Sequence, residues 1–277
     1  MPSKMKNKKI KNAIYIAVVL LLIGCLLCCE LWRDDIFADE DSYLTVTRLI
    51  GATVSLSIML YSGFGNLFKI KLEGLGMAVL AILPCWIIAI NNFPIIPVIS
   101  GRAGISASVG AIALYAFQCL CVGLFEELAF RGCIFSFALD NHRKSTLDMF
   151  WAIVISSVVF AAIHLVNILA GASPGAVILQ LGYSFLIGGM CSIILIKTKN
   201  IWYCVLLHAV YNFAGGVVPE CGGGEIWDAP TIILTTVVAL IVAAYVIYLL
   251  VKITPDEVEA LLNDKSKSAQ NIDSATV

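Results

Sequence analysis

Apolar segments about as long as a bilayer is thick recur along the chain between residues 13 and 251, and polar loops separate them. Because a membrane-spanning helix needs roughly 20 apolar residues, such segments can cross a membrane as helices. Charged residues make up only 13% of the chain and hydrophobic residues 60%, whereas soluble domains carry about 25% charged residues. The sequence therefore predicts an all-α, polytopic membrane bundle of about eight transmembrane helices. The predicted spans are 13–29, 50–67, 75–90, a fourth from about 106 through the acidic pair at 126 and 127, 149–170, 176–196, 201–217 and 231–251.

The lysines indicate how these spans are oriented. With about eight spans and a cytoplasmic N-terminus, every lysine falls in a cytoplasmic segment, as the positive-inside rule requires. We therefore predict a multi-pass protein of the cell membrane with both termini cytoplasmic. The lysine-rich start followed by an apolar run could be a signal peptide. However, the run ends in Cys-Cys-Glu-Leu-Trp without a small-residue cleavage site, so the first span is expected to be retained.

Three connecting segments carry local structural signals. Pro94 and Pro97 predict an extended or loop-like segment at 91–104, because proline breaks helices. Three consecutive glycines that begin at Gly222 predict a flexible loop at 219–230. Thr254 followed by Pro255 has the N-cap and first-turn chemistry of a short helix, and residues 266–277 are expected to be disordered.

Charge and cysteine placement exclude two kinds of site. The net charge of -1 provides no basic surface, so we expect no nucleic-acid partner. Most of the ten cysteines lie within apolar runs. This placement predicts small buried hydrophobic side chains, and it argues against a disulfide framework or a cysteine metal site.

Two carboxylates and a guanidinium interrupt the fourth span, in the stretch Phe125-Glu126-Glu127-Leu128-Ala129-Phe130-Arg131-Gly132. Ionisable groups at membrane depth are costly and usually face a functional interior. On a helix, Glu127 and Arg131 share a face and can pair, whereas Glu126 points about 100° away. We therefore predict that Arg131 holds Glu127 in an ion pair and that Glu126 remains free for chemistry. A purely structural ion-pair network would give the same pattern.

Two of the three histidines also lie within predicted spans. His164 is in the fifth span and His208 in the seventh, with Asn212 on the same helical face as His208. His142 falls in a polar loop and is expected to be solvated. Two intramembrane histidines and a free carboxylate favour a shared polar centre. His208 lies roughly 10 Å from the start of its span and His164 roughly 22 Å from the start of its own. For the site to assemble, either the fifth helix begins well below the membrane surface or the helices are tilted and staggered.

Three motifs follow one another on separate apolar segments: Glu126-Glu127-x-x-x-Arg131, Phe160-x-x-x-His164 and His208-x-x-x-Asn212. Together they resemble the motif set of the CPBP family. That family comprises the type II CAAX prenyl endopeptidases and their bacterial relatives, which include bacteriocin-processing and immunity proteins. The resemblance implies N-terminal accessory spans at 1–74, an intramembrane protease core at 75–253 and a partly disordered cytoplasmic tail at 254–277.

Hydrolytic chemistry and this resemblance imply the same residue roles. Amide hydrolysis needs a base that deprotonates water and donors that stabilise the oxyanion. The predicted base is Glu126, and His164 is expected to orient the water. His208 and Asn212 are the predicted oxyanion hole, and Glu127 with Arg131 is the supporting ion pair. The resemblance also implies a substrate pocket that includes Phe130, Phe160 and Phe185.

The metal requirement and the function class each have an alternative. The preferred mechanism uses no cofactor, but two histidines and a glutamate with an open position also form a catalytic zinc set, in which Glu126, His164 and His208 would bind Zn²⁺. The predicted function is an intramembrane endopeptidase that cleaves near the C-terminus of a small hydrophobic or lipidated, CAAX-like peptide or protein held in membrane lipid. The alternatives are a non-enzymatic peptide-binding immunity or scaffold protein, and a transporter or proton relay.

Overall fold

The structure is a computed structural model that describes residues 16–17, 19–21, 24–25, 27–29, 31–70, 75–141, 145–169 and 171–262. The predicted all-α class is confirmed for this part of the chain. Its helices are α1 (Arg33–Ile36), α2 (Glu40–Tyr61), α3 (Leu75–Asn91), α4 (Ile95–Ile99), α5 (Val109–Glu127), α6 (Ser136–Asn141), α7 (Thr146–Ile163), α8 (Val166–Leu169), α9 (Pro174–Thr198), α10 (Trp202–Cys221), α11 (Ala229–Val251) and α12 (Pro255–Leu262). A 3₁₀ turn spans Gly65–Phe68, a π-helix spans Leu128–Phe135, and two short strands are β1 (Ala103–Ile105) and β2 (Gly222–Gly224).

Several of these helical segments are long and apolar enough to cross a membrane, and the chain is a multi-pass membrane protein. Within the described residues they are Glu40–Tyr61, Val109–Asn141, Thr146–Leu169, Pro174–Thr198, Trp202–Cys221 and Ala229–Val251. Helix α3 is also apolar but shorter. The predicted first span at 13–29 lies partly outside the described residues, so the number of eight spans and the orientation of the termini stay predictions.

Helix α2 and the proline-rich segment differ from the sequence prediction. Helix α2 begins well before residue 50 because the Asp39 side chain caps it by accepting a hydrogen bond from the Ser42 N–H, and N-cap aspartate stabilises a helix start. The segment at 91–104 is not wholly extended, because it contains α4. Pro94 is the N-cap of α4 and Pro97 lies in its first turn, where the missing N–H breaks no helical hydrogen bond.

The glycine-rich segment at 219–230 is more ordered than predicted. Helix α10 continues to Cys221, and strand β2 then pairs antiparallel with β1. A side chain at Gly222 would place its Cβ 1.9 Å from the carbonyl oxygen of Gly104. Gly222 and Gly224 therefore permit the close strand approach, because a Cβ at either position would meet the partner strand or the residue before it. The strand pair ties the start of α5 to the end of α10, the two helices that carry the acidic pair and His208.

Helix α5 packs closely against α10. A Cβ at Gly123 would lie 2.8 Å from the carbonyl oxygen of Val205, so the two backbones approach too closely for a larger residue. Helix α2 packs on the other side of the same element, because a Cβ at Gly51 would lie 2.6 Å from the ring of Phe125. The boundary predicted at residue 74 stays a prediction. Helix α2 nevertheless forms part of the packing around the acid-bearing helix.

The short helix predicted after Thr254 is present as α12. The Thr254 hydroxyl accepts a hydrogen bond from the Glu257 N–H at 3.3 Å, and the Glu257 carboxylate accepts one from the Thr254 N–H at 3.0 Å. The Asn66 side chain donates to the carbonyl of Leu261 at 3.0 Å, which anchors α12 to the 3₁₀ turn. The tail predicted to be disordered at 266–277 lies outside the described residues.

Candidate active site

Glu126 and Glu127 end helix α5, where the backbone changes to the π-helix. A π-helix adds residues per turn and frequently occurs at functional sites. The structure places the Arg131 guanidinium 3.1 Å from the Glu127 carboxylate, and both side chains are fully buried. The Ser136 hydroxyl donates to the Arg131 carbonyl at 2.8 Å, inside the same irregular stretch. The predicted ion pair is therefore formed across the start of the π-helix.

His208 connects this ion pair to Glu126. Its Nδ1 donates to Glu127 Oε1 at 2.7 Å, and its Nε2 lies 3.5 Å from Glu126 Oε2. The sequence predicted only Arg131 as a partner of Glu127, because residues on different helices show no spacing relation. Glu127 thus orients the imidazole, and the imidazole faces the second carboxylate.

The Glu126 carboxylate and the His208 imidazole face each other. A carboxylate oxygen only accepts hydrogen bonds, whereas an imidazole nitrogen donates or accepts according to its protonation. Because the Nδ1–H of His208 is directed to Glu127, Nε2 is the ring nitrogen that is left to contact Glu126 or a substrate.

His164 stands at the C-terminal end of α7, where the helix breaks before α8. Its Nδ1 lies 3.0 Å from the Phe160 carbonyl and donates to it. In the neutral tautomer this leaves Nε2 with a free lone pair. Glu126 and His164 line the same cavity, which has a volume of about 90 Å³. The structure therefore brings the predicted base and the predicted water-orienting histidine to one small chamber.

Phe160 is the side chain around which the two histidines meet. Its ring makes edge contacts with His164 at 5.3 Å and with His208 at 5.9 Å between centroids. The Phe130 ring lies 4.9 Å from the Phe160 ring between centroids, and the Arg131 guanidinium lies 4.3 Å from the centroid of Phe160. The two histidine-bearing helices therefore bring both imidazoles to one ring, despite their different distances along their spans. Phe130 and Phe160, both predicted as pocket residues, are buried inside this cluster.

Asn212 lies apart from the small chamber. It lines a second and larger cavity of about 1480 Å³, together with Phe185 and Tyr183. Its backbone carbonyl accepts a hydrogen bond from the Tyr115 hydroxyl at 3.4 Å. The structure thus brings His164 and His208 to Phe160, places Glu126 beside His208, and leaves Asn212 on the other cavity. His142 is outside the described residues.

Two polar residues that sequence reasoning did not select join the site. Asn167 lines the small chamber and donates to the Gln180 side chain at 2.8 Å. Tyr183 lies one turn after Gln180 on α9, within electrostatic range of Glu126. Gln180 is a polar residue inside an apolar span, so the cost of burying an unpaired amide was a usable signal that the sequence analysis missed.

Metal-binding side chains form one compact buried group among the residues that the structure describes. Glu127, Cys191 and Cys204 have ligand atoms within 4.8 Å of one another. This group differs from the zinc set of Glu126, His164 and His208 considered from the sequence. Both cysteines are buried, in agreement with the prediction of small buried side chains. The presence or absence of a metal in the catalytic mechanism stays a prediction.

Comparison with known proteins places the motifs in one family. A family model described as "Type II CAAX prenyl endopeptidase Rce1-like" matches residues 108–214. This range contains all three motifs and runs from the N-cap of α5 into α10. Searches of curated proteins and of solved structures returned no match. Over residues 108–214 the chain is therefore similar to the type II CAAX prenyl endopeptidases, which confirms the family resemblance that its motifs predict.

Proposed function

We propose that this chain is an intramembrane endopeptidase that hydrolyses a peptide bond near the C-terminus of a small hydrophobic or lipidated peptide. The observation that carries the proposal is the chamber of about 90 Å³ that Glu126 and His164 line together. A chamber of this size has room for water molecules, given suitable polar partners. A carboxylate and an imidazole are the partners that would polarise such a water.

In the proposed reaction, Glu126 removes a proton from the water as its oxygen attacks the substrate carbonyl carbon. His164 holds the water through Nε2, because its Nδ1 is already bonded to the Phe160 carbonyl. Glu126 then returns the proton to the amine nitrogen as the peptide bond breaks. One carboxylate therefore serves first as base and then as acid, which balances the protons of hydrolysis.

His208 is the proposed donor to the oxyanion through Nε2–H, and because Nδ1–H is donated to Glu127, the imidazole carries both protons in this step. The bond from Nδ1 to Glu127 fixes the imidazole, and the Glu127–Arg131 ion pair holds that carboxylate in place. Pre-oriented donors stabilise developing negative charge strongly in a site that excludes water. Asn212 lies one turn further along α10 and lines the large cavity, so it would act as a second donor to a carbonyl that reaches the site from that side.

Zinc catalysis is the alternative mechanism for the same residues. Both histidines have Nδ1 bonded to an oxygen atom, which is how zinc-binding histidines are commonly held. Bound Zn²⁺ would polarise the substrate carbonyl and supply hydroxide. We prefer the metal-free mechanism, since Glu126, His164 and His208 do not form a compact ligand group within the described part of the chain.

The test compares purified wild type with Glu126→Gln, His164→Ala and His208→Ala on a library of hydrophobic peptides, with cleavage and binding measured separately. His142→Ala is the matched control, because the sequence places that histidine in a polar loop. We expect the three site variants to lose at least about 100-fold in cleavage rate while binding changes little. Wild type that binds but cleaves no peptide would refute the protease and leave a peptide-binding protein.

Metal dependence needs its own measurement. Metal content of the purified protein and activity after chelation should be determined on the same sample. The metal-free proposal predicts full activity at a metal content far below one ion per chain. Activity that is lost on chelation and restored by Zn²⁺ would overturn it in favour of the zinc mechanism.

A further inference from the structure

The large cavity has a volume of about 1480 Å³, more than the roughly 300–1,000 Å³ of a small-molecule pocket. Most of its lining is apolar and comes from α7, α9, α10 and α11. Asn212 lines it, one helical turn from His208, whose Nε2 lies 3.5 Å from Glu126. The cavity is therefore large enough for an extended segment and lies beside the proposed catalytic carboxylate.

The large cavity has one acidic end and one apolar end. Four acidic side chains line the end formed by the start of α2 and the last turn of α10: Asp39, Glu40, Asp41 and Glu220. The opposite end is lined by apolar residues that include Phe150 and Leu250. No lysine, arginine or histidine lines the cavity among the described residues. The cavity is thus an apolar trough with one negatively charged end. We call this end, lined by Asp39, Glu40, Asp41 and Glu220, the acidic mouth.

Two carboxylates of the acidic mouth, Asp39 and Asp41, accept hydrogen bonds from uncharged donors. Asp41 accepts a hydrogen bond from the uncharged Gln118 amide at 2.7 Å. Hydrogen bonds from Ser42 lower the pKa of Asp39, so that group is ionised at neutral pH. Arg33 pairs with one of the four carboxylates, Glu40, at 3.8 Å. Among the described residues that line the cavity, four are acidic and none is basic, so its lining carries a net negative charge.

Trp227 adds a second feature that suits a cation. It lines the same cavity and is about half exposed. Tryptophan is the aromatic side chain with the strongest attraction for ammonium and guanidinium groups. Carboxylates and an indole therefore meet at one end of an apolar trough.

We propose that this cavity binds a peptide with an apolar segment and a positively charged end, and that such peptides are the substrates of the neighbouring site. This inference rests on the proposed protease function. The headgroups of common phospholipids are zwitterionic or anionic, so the acidic mouth disfavours a lipid as the main occupant. Lysine side chains, arginine side chains or a free amino terminus complement the mouth, while the apolar segment fills the trough.

The experiment measures binding in the Glu126→Gln background, so that cleavage cannot interfere. The protein is placed in phosphatidylcholine nanodiscs and titrated with a fluorescent peptide of two lysines followed by eight leucine and alanine residues. A matched peptide carries two glutamines instead of the lysines. We expect the lysine peptide to bind roughly tenfold more tightly at low salt and to lose that advantage at high salt, because the charges are near the surface.

Isosteric variants locate the charge effect. A triple variant combines Glu40→Gln, Asp41→Asn and Glu220→Gln, which keep the size and shape of the side chains and remove their charge. In this variant the affinities for the two peptides should differ by no more than about twofold. Glu225→Gln is the control, because Glu225 is exposed next to strand β2 at the same end but does not line the cavity. The control should keep the full preference for lysine.

Three outcomes would overturn the inference: equal binding of both peptides, an unchanged preference in the combined variant, or a retained phospholipid that native mass spectrometry shows neither peptide displaces. Failure of the protease is recognised separately. Charge-dependent binding by a wild type that cleaves neither peptide would refute proteolysis and still support the ligand class.

Discussion

The buried ion pair of Glu127 and Arg131 makes the sharpest stability prediction. Both side chains are fully buried, and none of the three Arg131 guanidinium nitrogens makes a well-aligned hydrogen bond with a described residue. The guanidinium is held by charge attraction at 3.1 Å and by the Phe160 ring at 4.3 Å. Arg131→Met keeps most of the volume, removes the charge and leaves Glu127 with His208 as its remaining partner.

The expected cost follows from the burial. Removing one partner of a buried ion pair leaves an uncompensated charge and typically costs about 3–5 kcal/mol. Loss of the cation–π contact adds up to about 2 kcal/mol, because that contact is desolvated. We therefore expect Arg131→Met to lower the free energy of unfolding by at least about 3 kcal/mol. Glu127→Gln combined with Arg131→Met should cost clearly less than the sum of the single changes.

The assay is unfolding by sodium dodecyl sulfate in mixed micelles, with a double-mutant cycle on the pair. The control cycle uses Lys197→Met and Glu257→Gln, since that ion pair of 2.7 Å is partly exposed and should couple by at most about 1 kcal/mol. The reasoning is refuted if Arg131→Met costs less than about 1 kcal/mol, or if the two cycles give the same coupling energy.

Three further predictions concern packing, positioning and pH. Gly123→Ala should cost about 1–3 kcal/mol in the same unfolding assay because its methyl meets backbone atoms of α10, whereas Gly182→Ala, with open space around it, should gain up to about 1 kcal/mol. Asn167→Ala loses the hydrogen bond to Gln180 and should lower kcat about fivefold with little change in KM; an unchanged kcat would remove Asn167 from the site. Donors on Thr231 and Arg102 lower the pKa of Asp228 from 3.8 to about 2. Its stabilising effect is complete above the ordinary pKa and is lost as the pH falls toward about 2, so Asp228→Asn should flatten the acid dependence of Tm between these values.

The part of the site that follows from the sequence is the part encoded within single helices. A buried charge in an apolar run is costly enough to identify Glu126, Glu127 and Arg131, and the four-residue spacing brings Glu127 and Arg131 together as predicted. The same reasoning selects His164 and His208. The cost of a charge in an apolar run and the spacing of residues on one helix are local properties, so both can be deduced without knowledge of how the helices pack.

Contacts between helices could not be deduced in this way. The bond from His208 to Glu127 joins residues 81 positions apart. The meeting of both histidines at Phe160 depends on the packing of α9 against both α7 and α10. The π-helix after Glu127 has no known spacing signal in these residues. The glycine run at 222–224 predicts a flexible loop when it is considered alone, because the close strand pairing of Gly222 and Gly224 depends on a partner strand more than 100 residues earlier.

The separation of Asn212 from the small chamber bears on how a substrate must enter. The proposed base and its water lie in one cavity, whereas Asn212 and the apolar trough lie in the other, and Tyr183 is the trough residue within electrostatic range of Glu126. A peptide in the trough would have to present its scissile carbonyl between His208 and Asn212, which share a helical face one turn apart.

Two substitutions of Tyr183 test whether substrate passes from the large cavity to Glu126 beside this side chain. Phenylalanine keeps the aromatic ring and removes the hydroxyl, whereas tryptophan is larger and narrows the space between the large cavity and Glu126. If substrate crosses there, the tryptophan variant should lose peptide cleavage while the phenylalanine variant keeps most of it. Equal activity of the two variants would mean that the substrate reaches Glu126 by another route.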